Sequence, residues 1–158
     1  MVGGIVSIII EKARIADLEA LYEIERECFD REAFTKEQIA YLLENPNSVS
    51  LIAQVNNEIA GFIIGLIYDR NEMRTGHVYT IDVAIKHRRM GVGLRLLNEL
   101  ERIFIDRGVK ICNLEVRLDN VAARRLYRKH GYTEVERLKD YYFRGVHGVR
   151  LVKILLSE

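Results

Sequence analysis

The sequence predicts an α/β fold with a mixed, mostly antiparallel sheet, a central parallel strand pair and about four helices. Three observations lead there. The second half alternates strand and helix patterns over 76–85, 92–107, 110–117 and 121–130, which argues for a parallel pair joined by a crossover helix. The first half instead carries two apolar runs, 49–55 and 59–68, around Asn56-Asn57-Glu58, a hairpin signal. No linker, repeat or low-complexity tract divides the chain, and Pro46 is its only proline, so its 158 residues read as one domain, 1–158.

The elements follow in order. Residues 5–10 are β-branched and read as a strand. Asp17 can cap a helix carrying Leu18, Leu21, Tyr22 and Ile24 at helical spacing. Thr35-Lys36-Glu37-Gln38 has the form of a capping box, and the helix it opens stops near Asn45-Pro46. The hairpin strands come next, then strand 76–85 and helix 92–107 with its stop at Gly108. Strand 110–117 and helix 121–130, stopping at Gly131, follow. The chain closes with an irregular Tyr-rich segment from 140 and a last strand within 149–156.

Composition narrows the partners. Lys plus Arg number 24 against 23 Asp plus Glu, a formal charge of +1, so no whole-molecule field recommends nucleic acid or an anionic membrane. Cys28 and Cys112 lie far apart in apolar-patterned segments and read as reduced thiols, without metal-ligand spacing. The start "MVGGIVSIII" lacks a basic leader and is too short to span a bilayer, which suggests a cytoplasmic protein.

The stretch "IDVAIKHRRMGVGLRLL", 81–97, places Gly91 and Gly93 where a strand ends and a helix begins. Helix N-termini leave N–H groups unpaired and partly positive, so such a turn can hold an anion, and glycine lets the anion come close. Arg88 and Arg89 would add charge on the same side. A tight turn with solvated arginines is the equal alternative on these residues alone. A dinucleotide fingerprint is excluded by Leu96, and a Walker A loop by the absence of Gly-Lys-Ser/Thr.

Arg88-Arg89-Met90-Gly91-Val92-Gly93 resembles the R/Q-x-x-G-x-G/A motif of the GCN5-related N-acetyltransferase (GNAT) superfamily. "LEVRLDN" at 114–120 and "AARRLYRKHGY" at 122–132 resemble that superfamily's next strand and helix. "ERECF" at 25–29, "GHVYTIDVAI" at 76–85 and the tyrosines 141 and 142 are similar to the ribosomal-protein-alanine and Ard1-type enzymes, which acetylate protein N-termini. The resemblance covers residues 5–156. It implies a GNAT-like fold and transfer of the acetyl group of acetyl-coenzyme A (acetyl-CoA) to a primary amine, foremost a protein N-terminal α-amine, with no metal.

The resemblance also assigns residues. Backbone groups of Ile81, Asp82 and Val83 would line the pantetheine arm, with an N–H near Val83 facing the developing thioester oxyanion. Arg88, Arg89, Met90, Gly91, Val92, Gly93 and Leu94 would wrap the pyrophosphate, and Asn120 would touch the cofactor, with a simple helix cap as its alternative. Glu115 is the candidate general base. The alternation in "ICNLEVRL" puts it with Asn113 and Arg117 on the face opposite Cys112, Leu114, Val116 and Leu118, and an ion-paired sheet carboxylate is the alternative. Tyr127 is the candidate general acid and cofactor contact, a core tyrosine otherwise. His77 matches a histidine of some Ard1-type enzymes and ranks below Glu115 as a second base, while Glu32 stands near a substrate-facing acid of those enzymes.

One departure bears on the acceptor. The related N-terminal acetyltransferases follow their paired tyrosines with an acidic G-E-D-A run, whereas "YYFRGVHGVRL" puts Val146 and His147 there, flanked by Arg144 and Arg150. Acceptors with acidic residues behind the amine, or small anions, then become candidates. The expected partner is a protein or peptide N-terminus, a ribosomal protein among the candidates, with the enzyme a monomer or homodimer and no nucleic acid or membrane. Acetylation of lysine side chains or of a small amine, and a non-catalytic CoA sensor, are the alternatives. A nucleic-acid patch of Arg124, Arg125, Arg128 and Lys129 is disfavoured, because these fall on different helix faces without stacking aromatics.

Overall fold

The computed structural model describes residues 7–155. Seven strands are β1 (Ile8–Lys12), β2 (Ser48–Val55), β3 (Glu58–Arg70), β4 (Met73–Val83), β5 (Ile111–Arg117), β6 (Thr133–Phe143) and β7 (Val146–Ile154). Four helices are α1 (Leu18–Cys28), α2 (Lys36–Glu44), α3 (Val92–Asp106) and α4 (Val121–Lys129). The strands form a mixed sheet in the order β1-β2-β3-β4-β5-β7-β6, with β4 and β5 parallel and the other described pairings antiparallel. The α/β class, the parallel pair and its intervening helix α3 are as the sequence predicts.

The chain groups into two compact units. One takes in the residues up to Leu66 together with Thr80–Ile103. Its hairpin turns on Asn56 and Asn57, both with left-handed φ (53° and 65°), the geometry of a two-residue turn matching strand twist. The Thr35 capping box is present: Thr35 Oγ1 accepts from Gln38 N at 3.1 Å, and Gln38 Oε1 accepts from Thr35 N at 2.8 Å. Asp17, expected to cap α1, makes no such bond. Its carboxylate accepts instead from Arg14 N at 2.8 Å, closing a 3₁₀ turn ahead of α1. The fully buried Leu21, Ile39, Phe62, Ile63 and Leu96 form this unit's core.

The other unit comprises Ile67–Tyr79 and the residues from Phe104 onward. Phe104, Cys112, Leu114 and Leu151 are buried there. One expectation fails in this unit: the segment from 140 is regular, because 133–143 is strand β6, joined to β7 through Arg144-Gly145. β6 is the edge strand and mostly exposed, so its charged run "TEVERLKD" needs no apolar alternation, which is why the pattern concealed it. Among the described residues the first strand runs from Ile8, and positions 5, 6 and 156 of the expected end strands lie outside the described residues. No described helix is long and apolar enough to cross a membrane.

Candidate active site

In the first unit, β4 ends at Val83, a 3₁₀ turn follows at Ile85–His87, and α3 begins at Val92. Arg95 N donates to the Gly91 carbonyl at 3.0 Å, so the N–H groups of Val92, Gly93 and Leu94 precede the helical ladder. Gly91 has φ of +82°, which a side chain would strain. At Gly93 a Cβ would meet only Val83 Cγ2 at 3.4 Å, an ordinary contact, so internal packing does not demand glycine there. The turn therefore joins unspent N–H donors to open space, a geometry suited to an anion such as a pyrophosphate. Arg88 is tied down beside it: Nε donates to the Val83 carbonyl at 3.1 Å and Nη2 to Cys28 Sγ at 3.4 Å.

Beneath this strand end lies a buried acid pair. Glu25 and Asp82 are each 1% exposed, and Thr80 Oγ1 stands 3.0 Å from Glu25 Oε1 and 2.6 Å from Asp82 Oδ1. One hydroxyl has one hydrogen, so it cannot donate to both carboxylates. A second proton must reside on one acid. Burial first, then the Glu25 carboxylate, raises Asp82 well above the usual carboxyl range, opposed by Thr80 and Arg88, and assigns the proton to Asp82. Glu25 Oε2 accepts from Phe34 N at 3.0 Å and so anchors the connection between α1 and α2, where Glu32 lies. Burial also pushes the Cys28 thiol up to about 11, with Arg88 opposing.

This arrangement has a signed consequence for stability. An acid whose folded pKa is raised binds its proton more tightly in the native state, so stability falls as pH rises above the unfolded carboxyl value toward the folded one. Asp82→Asn removes that dependence, because an amide donates to Thr80 at every pH. The stability of the variant relative to wild type should climb as pH rises above the unfolded carboxyl value toward the folded one, by up to about 1.4 kcal/mol per pH unit. A difference that stays flat across thermal melts in that range would refute the shared proton.

The second unit carries a polar cleft of about 380 Å³ on one face of its strands. β4 contributes Thr75, His77 and Tyr79, β5 contributes Asn113 and Glu115, and β7 contributes Arg150. The strand parity predicted for Glu115 is met, for Cys112 and Leu114 are buried while Asn113 and Glu115 face the cleft. Glu115, with its side chain 7% exposed, is densely hydrogen-bonded. Oε1 accepts from His77 Nε2 at 2.7 Å and from the Tyr141 hydroxyl at 3.3 Å; Oε2 accepts from Arg150 Nε at 3.0 Å. Register puts Glu115 directly opposite Arg150, and His77 beside Asn113.

Burial raises the Glu115 carboxyl, but the hydrogen bonds and charges of His77 and Arg150 outweigh it and hold the group below its ordinary range. Glu115 is thus an anion to which its partner His77 presents Nε2–H. Burial and the Glu115 charge together raise the Tyr141 phenol, keeping it a donor. Arg150 Nη1 also donates to Glu136 Oε1 at 2.8 Å.

The remaining site candidates sit on or near α4. Asn120 caps that helix, its Oδ1 accepting from Ala123 N at 3.1 Å, which is the simpler of its two expected roles. Tyr127 is 6% exposed and packs edge-on to Tyr132 with centroids 5.8 Å apart. The basic cluster on this helix is partly neutralised, since Arg124 holds Glu134 through Nε at 2.8 Å and Nη2 at 2.9 Å.

Sequence reasoning missed Tyr68, Arg70 and Tyr79, which also line the cleft. Tyr68 and Tyr79 hydrogen-bond through their hydroxyls, and Arg70 stacks over the Tyr68 ring at 5.1 Å. A signal for them exists: Tyr68 and Arg70 share one parity, and Asn71-Glu72, both with left-handed φ, fold that strand back along Thr75, His77 and Tyr79.

Comparison with known proteins accords with this geometry. Residues 18–132 match the Acetyltransferase (GNAT) family. An uncharacterized N-acetyltransferase of Methanocaldococcus jannaschii is 32% identical over 148 residues, covering 92% of this chain and 90% of the relative. A putative [ribosomal protein bS18]-alanine N-acetyltransferase of Bacillus subtilis is 27% identical, covering 94% of this chain and 96% of its own. The crystal structure of Ard1 from Thermoplasma volcanium superposes with a TM-score of 0.86 at 28% identity, over 95% of this chain and 99% of that one. A glycine turn at a helix N-terminus, a parallel strand pair and matching relatives along most of the chain lead to one conclusion: the chain belongs to the acetyltransferase (GNAT) family.

Proposed function

We propose that this enzyme moves the acetyl group of acetyl-CoA to a protein N-terminal α-amine by direct attack. The observation that carries the reading is Glu115, an ionised carboxylate 7% exposed in a polar cleft of an acetyltransferase-family chain. The turn at Arg88, Arg89, Met90, Gly91, Val92, Gly93 and Leu94 would hold the pyrophosphate of the donor through backbone N–H groups, which supplies an activated thioester. Ile81, Asp82 and Val83 would line the pantetheine arm, with an N–H near Val83 facing the oxyanion. Asn120 and Tyr127 complete the proposed donor contacts.

An amine attacks only when neutral. An N-terminal amine, with a reference pKa near 7.7 to 8.0, needs far less help than a lysine near 10.4. As the C–N bond forms, the nitrogen becomes strongly acidic, so even a carboxylate of depressed pKa can take its proton directly or through a water. The C–S bond breaks, and the departing thiolate takes a proton from Tyr127, whose reference pKa near 10 lies above that of a thiol near 8.5. The relatives named for N-terminal and ribosomal-protein-alanine acetylation support the α-amine acceptor.

Thiol release by the purified protein, with free-amine peptides, Nα-blocked lysine peptides and small amines, tests the acceptor class. Turnover of the free α-amines is expected; reaction of blocked lysine peptides alone would overturn it. Tyr127→Phe should lower kcat by about tenfold or more without changing the acceptor order. A kcat equal to wild type in that variant would remove Tyr127 as the acid.

A further inference from the structure

Arg70 stands apart among the charged groups of the cleft. Among the described residues Glu115 is the one carboxylate lining it, against the cations Arg70 and Arg150 and the imidazole of His77. Arg150 is already matched, by Glu115 at 3.0 Å and Glu136 at 2.8 Å. The neighbouring Asp69 is taken by Arg74, through Nε at 2.7 Å. Arg70 has no carboxylate partner among the described residues, and its guanidinium is laid over the Tyr68 ring. A stacked guanidinium is held in place at low entropic cost and keeps its donors for another ligand.

Its position along the cleft sets what that ligand is. Thr75 pairs with Ile111 and His77 with Asn113, so Tyr79 lies level with Glu115, four residues from the level of Thr75. At about 3.3 Å per residue, that separates the two levels by roughly 13 Å. Arg70 closes the Thr75 end, beside the Asn71-Glu72 turn. An extended peptide with its amine at Glu115 advances about 3.4 Å per residue, so its third and fourth positions lie about 7 and 10 Å along, and the length of an acidic side chain there spans the rest of the way to the Arg70 end.

We propose that Arg70 is a specificity-determining residue, selecting acceptor peptides with Asp or Glu at the third or fourth position through an ion pair at the far end of the cleft. The inference rests on the reading of this cleft as the acceptor site. A basic side chain at the same position meets Arg70 as a like charge and finds no free carboxylate in compensation.

The test measures kcat/KM by thiol release for three free-amine peptides differing only at positions three and four, as Ala, Glu or Lys, with wild type, Arg70→Ala, Arg70→Glu and Arg70→Lys. Wild type should prefer the Glu peptide over the Ala peptide by about tenfold, mainly in KM. Arg70→Ala should abolish that ratio, Arg70→Glu invert it in favour of the Lys peptide, and Arg70→Lys retain part of it. The ratio should shrink with added salt. Equal turnover of all three peptides by wild type would overturn this inference alone, as would an acidic preference surviving in Arg70→Glu. No turnover of any peptide would overturn the acceptor reading and this inference with it.

Discussion

Glu115→Gln should lower kcat/KM for free-amine peptides by about a hundredfold or more, with a smaller loss of melting temperature at neutral pH, where the ionised carboxylate contributes stability. The amide keeps the shape of the side chain and its carbonyl can still accept from His77 or Arg150, so the loss isolates the negative charge. Because the fold holds this carboxyl below its ordinary range, Glu115 contributes stability above the unfolded carboxyl pKa, and that contribution disappears as pH falls through the folded value. The variant should therefore lose part of the acid limb of the stability curve, with a sign opposite to that of Asp82→Asn. The rate of wild type should rise with pH as the α-amine deprotonates, since Glu115 is ionised throughout that range. If Glu115 served only as an ion pair for Arg150, kcat/KM would stay within a few-fold of wild type and only the melts would respond; that outcome would withdraw the base assignment.

Gly61→Ala is expected to be the most damaging substitution for folding. A Cβ at Gly61 would lie 2.4 Å from the Asp82 carbonyl oxygen and 3.3 Å from Val83 Cα, and backbone atoms cannot swing away as a side chain can. The neighbouring tie, Ala84 N donating to the Ala60 carbonyl at 2.8 Å, resists separation of the strands at that point. Overpacking of this kind costs about 3 kcal/mol. For a domain of this size that lowers the melting temperature by roughly 6 to 12 °C. The strain falls on Asp82 and Val83, so residual activity of the folded variant should fall too. A melting temperature within about 2 °C of wild type would mean that the close approach is not required.

Local signals were strong where one stretch of chain sufficed. The Thr35 box, the Asn56-Asn57 turn and the strand-helix-strand pattern around Gly91 each depend on residues adjacent in sequence, and each appears in the structure. Edge strand β6 was hidden because exposure on both faces leaves no alternation to read. Asp17 was misjudged because its carboxylate had a nearer donor, Arg14 N, three residues back. The parity of β5 placed Glu115 on the polar face, but its partners stand 38 and 35 residues away in sequence and meet it only through cross-strand register.

By itself, then, the sequence determined the class of the sheet, the helix-opening glycine turn and the faces of β5, since propensity, turn chemistry and strand period act over a few residues. Tertiary structure alone decided that Glu115 is an ion-paired anion rather than a solvated one, and that burial beside Glu25 raises the Asp82 carboxyl. It also decided that Arg70 is left without a carboxylate partner among the described residues at the end of the cleft. Those three states depend on which charges share a small, poorly hydrated space, and at such distances the balance between desolvation and pairing is set by the fold rather than by the neighbours in the chain.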